Sequence, residues 1–247
     1  TLGPENARTL NVEANLAVLY MRTGRYDEAE PLLVHGLAAQ QRALGKTHRR
    51  VINAMNNLAA LWKKQSRYTD AEQLHRDALN LATSELGYSH KTTIESLWGL
   101  ARTCVAQNKE AEAVSFLRKA IEGLHDVYGP DDRQTLATVG ELASLLREQG
   151  RYEEAEPLHV RALEAFRRLG GEEHPNTLTW RSNLALVYAG QGRYAAAESL
   201  HLRALDASER TLGEEHPSTI VSVNNLAWLR LELARNTAKN GFEKCIA

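Results

Sequence analysis

A single period runs through this chain and leaves little freedom in what it can fold into. A turn-forming glycine recurs every 42 residues, at Gly3, Gly45, Gly87, Gly129, Gly171 and Gly213. A second ladder keeps the same register: Leu16-Ala17, Leu58-Ala59, Leu100-Ala101, Leu142-Ala143, Leu184-Ala185 and Leu226-Ala227. A third consists of Ala29, Ala71, Ala113, Ala155 and Ala197. No insertion disturbs the register between residue 2 and about residue 233. Three ladders in step mark tandem structural repeats, each too small to bury its apolar face alone and each covering that face with its neighbour.

Each repeat reads as two helices. The first starts after the glycine turn, where Pro175 and Pro217 stand at a first-turn position that tolerates a missing N–H. Apolar and small residues follow at three- and four-residue steps, as in Leu178, Leu184, Ala185 and Tyr188. The helix is expected to end at Gly24, Ser66, Asn108, Gly150 or Gly192, since Gly and Asn best accept the left-handed backbone of a C-terminal cap. The second helix opens on an acidic turn such as Asp27-Glu28 or Glu153-Glu154, which complements the helix dipole. It continues as Leu-x-x-x-Ala-Leu through Leu158, Ala162 and Leu163, or Leu200, Ala204 and Leu205. The ladder alanines lie on helix flanks, where a small side chain lets axes approach to the near end of the ~8–10 Å packing range.

Composition agrees and narrows the function classes. Hydrophobic residues make up 43%, ordinary for a soluble protein, and Ala, Leu, Glu and Arg favour helix. The net charge of -1 gives no global basic excess for nucleic acid or anionic lipid. No apolar run is long enough to span a bilayer and no signal peptide is found, so no membrane partner is expected. Cys104 and Cys245 stand far apart with no C-x-x-C spacing, which suits a reducing compartment and a cytoplasmic location. The abrupt start at Thr1 and end at Ala247 read as cuts from a longer protein. No glycine-rich phosphate loop, nucleophile elbow or paired catalytic carboxylate stands out, so no catalytic residue, no cofactor and no enzymatic activity are expected.

The order of large, Leu, small, aromatic, small and small residues, seen in Leu184, Ala185, Tyr188, Ala197 and Ala204, resembles the tetratricopeptide repeat. The common motif has ~34 residues; this one has 42. The longer wording, Leu-Gly-x-Glu-His-Pro-x-Thr from Leu212 to Thr219, Asn-Asn-Leu-Ala from Asn224 to Ala227, and Gly-Arg-Tyr-x-x-Ala-Glu from Gly150 to Glu156, resembles the repeats of kinesin light chains. The resemblance implies an all-α, right-handed superhelical solenoid of helix-turn-helix repeats, about five and a half in number. They form a single domain over 1–247, with repeats at about 2–43, 44–85, 86–127, 128–169, 170–211 and 212–247. It also implies a protein-interaction scaffold that holds a peptide or partner protein in a concave groove lined by the first helices. Two repeats depart from the pattern. The third has Asn108-Lys109-Glu110 in place of Gly-Arg-Tyr and Trp98-Gly99 in place of Asn-Asn. The sixth loses the pattern after Arg230, and Lys239 replaces the ladder alanine, so its second helix is displaced past Gly241 or cut short.

Carried over by register, the groove-facing positions are Asn15 and Arg22, then Asn56, Asn57, Lys63 and Lys64, then Trp98 and Arg102, then Asn183, and finally Asn224 and Asn225. Asn15, Asn57, Asn183 and Asn225 share one position. An amide both donates and accepts, matching a peptide bond, and Asn is a poor helix former whose recurrence mid-helix needs a reason. The competing reading is that it caps backbone or bonds between repeats. The row breaks at Gly99 and Glu141. Arg22, Lys63, Lys64 and Arg102 would form a basic patch beside Trp98, suited to a peptide with acidic residues flanking an aromatic anchor; the alternative is a solvated charged face. The arrangement that captures a free C-terminal carboxylate in chaperone adaptors is not reproduced, because Ala14 stands where that pattern has lysine.

His75, His159 and His201 share a second-helix position, and His48, His90, His174 and His216 share a loop position. Successive copies lie a helix pair apart, too far to share zinc at ~2.0–2.1 Å per bond, so no metal site is expected. Cys104 takes the bulky packing position of Tyr20, Trp62 and Tyr188 and reads as a core residue. A second function class stays open: a regulatory solenoid that packs on another domain of its parent chain or self-associates, favoured if Trp228, Leu229 and Leu231 are exposed.

Overall fold

The computed structural model describes residue 3 and residues 6–246, with side chains up to residue 235 apart from residue 7. The expectations attached to residue 2, to the Lys239 side chain and to Cys245 lie outside what is described. Eleven α-helices and no strand occur among the described residues. The chain divides into two compact units, Thr1–Thr135 and Leu136–Ala247.

The first unit contains α1 (Ala7–Arg22), α2 (Tyr26–Leu44), α3 (Arg49–Lys64), α4 (Tyr68–Leu86), α5 (Lys91–Ala106) and α6 (Glu110–Tyr128). The second contains α7 (Arg133–Glu148), whose first residues lie at the boundary, then α8 (Tyr152–Gly170), α9 (Pro175–Gly190), α10 (Tyr194–Leu212) and α11 (Pro217–Ile246). Inside each unit the helices pair as hairpins, with a core between consecutive hairpins. In the first unit Ala17, Ala29, Leu33, Leu58 and Leu61 form one buried cluster, and Ile94, Leu97, Ala120 and Leu124 another. In the second, Ala185, Ala189, Ala197 and Leu229 pack together. The second-helix alanine ladder is buried as expected: Ala29, Ala71, Ala113, Ala155 and Ala197 are all 0% exposed.

The punctuation has physical causes. The first helix of each hairpin is closed by a left-handed residue at Gly24, Ser66, Asn108, Gly150 and Gly192, with φ between 59° and 77°. The loop histidines are N-caps, a role their spacing alone did not suggest. Nδ1 of His48, His90, His174 and His216 accepts from the backbone N–H two residues on, at 3.1–3.2 Å. Asn6 and Asp132 do the same through a side-chain oxygen where histidine is absent. The threonine of the loop motif closes the turn, with Thr93, Thr135, Thr177 and Thr219 Oγ1 donating to the preceding glycine carbonyl at 2.7–2.9 Å.

The Gly-Arg-Tyr-x-x-Ala-Glu wording is a clamp between consecutive repeats. Glu30 on α2 accepts from Trp62 Nε1 at 2.8 Å, Gln65 at 2.9 Å and Arg67 at 2.8 Å. Glu156 on α8 accepts from Gln191 at 2.8 Å and Arg193 at 2.9 Å. The arginine also covers the aromatic ring at the end of the first helix, Arg67 over Trp62 at 4.7 Å and Arg193 over Tyr188 at 3.9 Å. The third repeat departs coherently. Buried Cys104 replaces the aromatic, so no ring needs covering, and Lys109 serves in place of arginine, reaching Glu72 at 2.6 Å.

The sixth repeat is atypical, in line with the loss of pattern after Arg230: α11 continues as one helix of 30 residues through Gly241. No second helix covers its flank among the described residues. Ile220 and Val223 are 48% and 45% exposed, whereas Leu178 and Arg181, at the same positions of the fifth repeat, are 5% and 8% exposed. Trp228 and Leu231 are exposed, whereas Leu229 is fully buried against α9 and α10.

Candidate functional site

Helices α3 and α5 of the first unit each present a row of polar residues at helical spacing. Asn53, Asn56, Asn57, Ala60 and Lys63 come from α3; Glu95, Trp98, Gly99 and Arg102 come from α5; and His75 of α4 closes the space from below. Together they enclose a cleft of about 400 Å³. Five residues assigned to binding by register meet here: Asn56, Asn57, Lys63, Trp98 and Arg102.

The floor is a buried polar network. Asn56 Nδ2 donates to Ser96 Oγ at 2.9 Å, and Asn56 Oδ1 accepts from His75 Nδ1 at 3.1 Å. That contact places the proton of the neutral imidazole on Nδ1. Burial, aided by the nearby Lys63 ammonium, pushes His75 down to about 4, so the ring is neutral at pH 7. Asn56 is therefore engaged inside the fold, whereas Asn57, one residue on, is exposed. The His75 ring also explains the break in the asparagine row. A Cβ at Gly99 would overlap the imidazole, so no side chain fits at that register position.

The walls carry the charge. Lys63 and Arg102 contribute two cations and Glu95 one carboxylate, leaving the cleft net positive. Trp98 is half-buried, with its base packed on the core of Ile94, Leu97, Ala120 and Leu124. Close by, Glu72, Cys104 and Glu112 bring three possible metal-ligand atoms within 4.8 Å of one another. Lys109, Arg76 and Gln107 already bind Glu72 at 2.6–2.8 Å. Burial works against its charge, but these donors prevail and hold the carboxyl at about 2. Burial pushes the Cys104 thiol up to about 11. The group is an ion-pair network beside a buried thiol.

The other assigned residues are placed separately. Asn183 and Asn225 line a pocket of about 240 Å³ in the second unit, between α9, α10 and α11. Asn15, Arg22, Lys64 and Asn224 are placed on their helices outside both spaces. Among residues that register reasoning left out of the site, Glu95 and His75 are the most consequential. The missing side chain at Gly99 was the available signal for His75.

The sequence profile of the tetratricopeptide repeat matches residues 5–84, 60–124, 132–209 and 179–239. The chain belongs to the tetratricopeptide repeat family. Tetratricopeptide repeats from a Podospora anserina protein, described as putative kinesin light chain nearly identical TPR-like repeats, superpose with a TM-score of 0.77 at 23% identity, covering 86% of this chain and 99% of that one. The P. vanneervenii protein BtubC (BKLC) gives 0.74 at 22% identity, over 85% and 83%. YrrB, a tetratricopeptide protein with an unusual peptide-binding site, gives 0.55 at 15% identity, over 90% and 94%. These likenesses are of fold. No curated protein sequence matches the chain. No helix among the described residues is long and apolar enough to cross a membrane.

Proposed function

We propose that this tetratricopeptide chain is a protein-interaction scaffold. The α3–α5 cleft takes an extended peptide segment that carries acidic residues beside an aromatic anchor. The observation that carries the reading is the convergence of Lys63, Arg102, Trp98 and Asn57 on one cleft. A desolvated aromatic packed by charge-assisted contacts is the usual make-up of a binding hot spot. Trp98 offers the stacking surface, the two cations oppose carboxylates, and the exposed Asn57 amide matches a peptide bond in both donor and acceptor. Glu95 adds selectivity, since it repels an acidic side chain placed on its side of the cleft. Asn15, Arg22, Lys64 and Asn224 are assigned rim roles at most. The reading places the protein in the cytoplasm.

The test is fluorescence anisotropy with a labelled peptide in which tryptophan is flanked by aspartates. Arg102→Glu should weaken binding at least tenfold, about 1.4 kcal/mol, and Asn57→Ala by a smaller factor. The wild-type affinity should fall as salt rises. Wild-type affinity retained in both variants, with helicity unchanged, would show that the cleft is not the binding site.

A second reading has its own observation. The exposed Ile220, Val223, Trp228 and Leu231 of α11 suit docking of another helix, from a second copy or another domain. Concentration-dependent mass by ultracentrifugation, abolished by Val223→Glu, would favour it.

A further inference from the structure

The second unit contains one space built twice and filled once. Between α7, α8 and α9 an aromatic pair occupies the interior. Trp180 is 8% exposed and stacks on Phe166 with centroids 5.9 Å apart. It meets the ring of His159 edge-on at 5.4 Å. Gly140 makes room for it, since a Cβ there would stand 2.9 Å from Trp180 Cη2.

One period later, between α9, α10 and α11, the equivalents of Gly140, Phe166 and Trp180 are Ser182, Ser208 and Ser222. All three line the pocket of about 240 Å³. Histidine is retained, as fully buried His201. The frame is repeated except that Ser182 carries the Cβ that Gly140 lacks, and the two rings that fill it are gone.

The lining suits what is missing. Ser208 Oγ donates to the Ala204 carbonyl at 2.8 Å, and Ser222 Oγ donates to the Ser218 carbonyl at 3.1 Å. Both hydroxyls are turned onto their own helices and make little polar demand on an occupant. Leu178, Leu212 and Val221 provide apolar walls, and Asn183 and Asn225 stand at the lining with amide groups. An apolar cavity of roughly 150 Å³ holds a benzene ring, so this larger space has room for a fused bicycle.

We infer that this pocket is a binding slot for a planar aromatic group of indole size, seated in the part of that volume that lies clear of Ser182. The group comes from a tryptophan side chain of a peptide or from a free small aromatic molecule. The inference is independent of the α3–α5 cleft.

The experiment titrates the full 247-residue chain with indole and with N-acetyltryptophanamide, read by ¹H–¹⁵N correlation spectra. Indole should shift the amides around Ser182, Ser208 and Ser222 and give intermolecular NOEs to the methyl groups of Leu178, Leu212 and Val221. Tighter binding of N-acetyltryptophanamide identifies a peptide side chain as the source; tighter binding of indole identifies a free molecule. Ser222→Trp together with Ser182→Gly rebuilds the earlier interface from within. It should raise Tm by a few degrees and remove the indole shifts, and Ser208→Phe should do the same from α10. Absence of indole shifts and NOEs at millimolar ligand would overturn the inference. So would shifts that persist unchanged in the folded Ser222→Trp, Ser182→Gly variant.

Discussion

Ser66 and Asn108 hold the left-handed backbone that glycine holds at the equivalent turns. An L side chain there costs about 1–2 kcal/mol, which Asn partly recovers by local bonding. Ser66→Gly is therefore expected to stabilise the chain by ~1 kcal/mol, offset in part by the added flexibility of the unfolded state; chemical denaturation measures it. The reverse holds at Gly99, where His75 fills the space of a side chain. Gly99→Ala should destabilise by ~1–3 kcal/mol through overpacking, and an unchanged denaturation midpoint would mean that the ring sits elsewhere. The same two residues show where register reasoning ran short. An Asn-Asn pair marks a helix position but does not say which amide the neighbouring helices capture. Ser96 and His75 take Asn56, and only their placement reveals it.

The elements were more legible than the site, because helix boundaries depend on local chemistry. The expected helix ends at Gly24, Ser66, Asn108, Gly150 and Gly192 all carry the left-handed residue, and α9 and α11 begin at Pro175 and Pro217. Where the ladders fade, so does the reading. After Arg230 the repeat pattern is lost, as expected, and α11 runs on without a turn through Asn236, Asn240 and Gly241. A lone glycine inside a helix costs only ~1 kcal/mol relative to alanine, too little for Gly241 to end it. This difference makes one ladder position give two outcomes. Ala185 is fully buried, and Ala185→Leu should destabilise by ~1–3 kcal/mol. Ala227, its counterpart on α11, is exposed, and Ala227→Leu should stay within ~0.5 kcal/mol. Thermal unfolding of both variants decides whether α11 lacks a covering helix.

At the scale of the whole molecule, the buried histidines make stability depend on pH. Burial lowers His75 and His159 to about 4, with Lys63 and Arg147 adding to the effect, and lowers His201 in the same direction. Unfolded histidine titrates near ~6.5. Between these values the unfolded chain binds more protons, so stability falls as pH drops from ~6.5 towards 4. Glu72 acts in the same direction over a lower range: its contribution is intact above the ordinary carboxylate range and is lost as pH falls from there towards 2. The melting temperature should be lower at about pH 4.5 than at neutral pH, with a smaller drop in His159→Phe, because that variant no longer has a buried imidazole to protonate. The proposed function rests on the cleft between α3 and α5, and a selection from a displayed random-peptide library tests it most directly. Wild-type protein should enrich acidic peptides with an aromatic anchor, and both Asn57→Ala and Arg102→Glu should lose that enrichment. Enrichment of the same peptides by all three proteins, or of none by a folded wild type, would contradict the account.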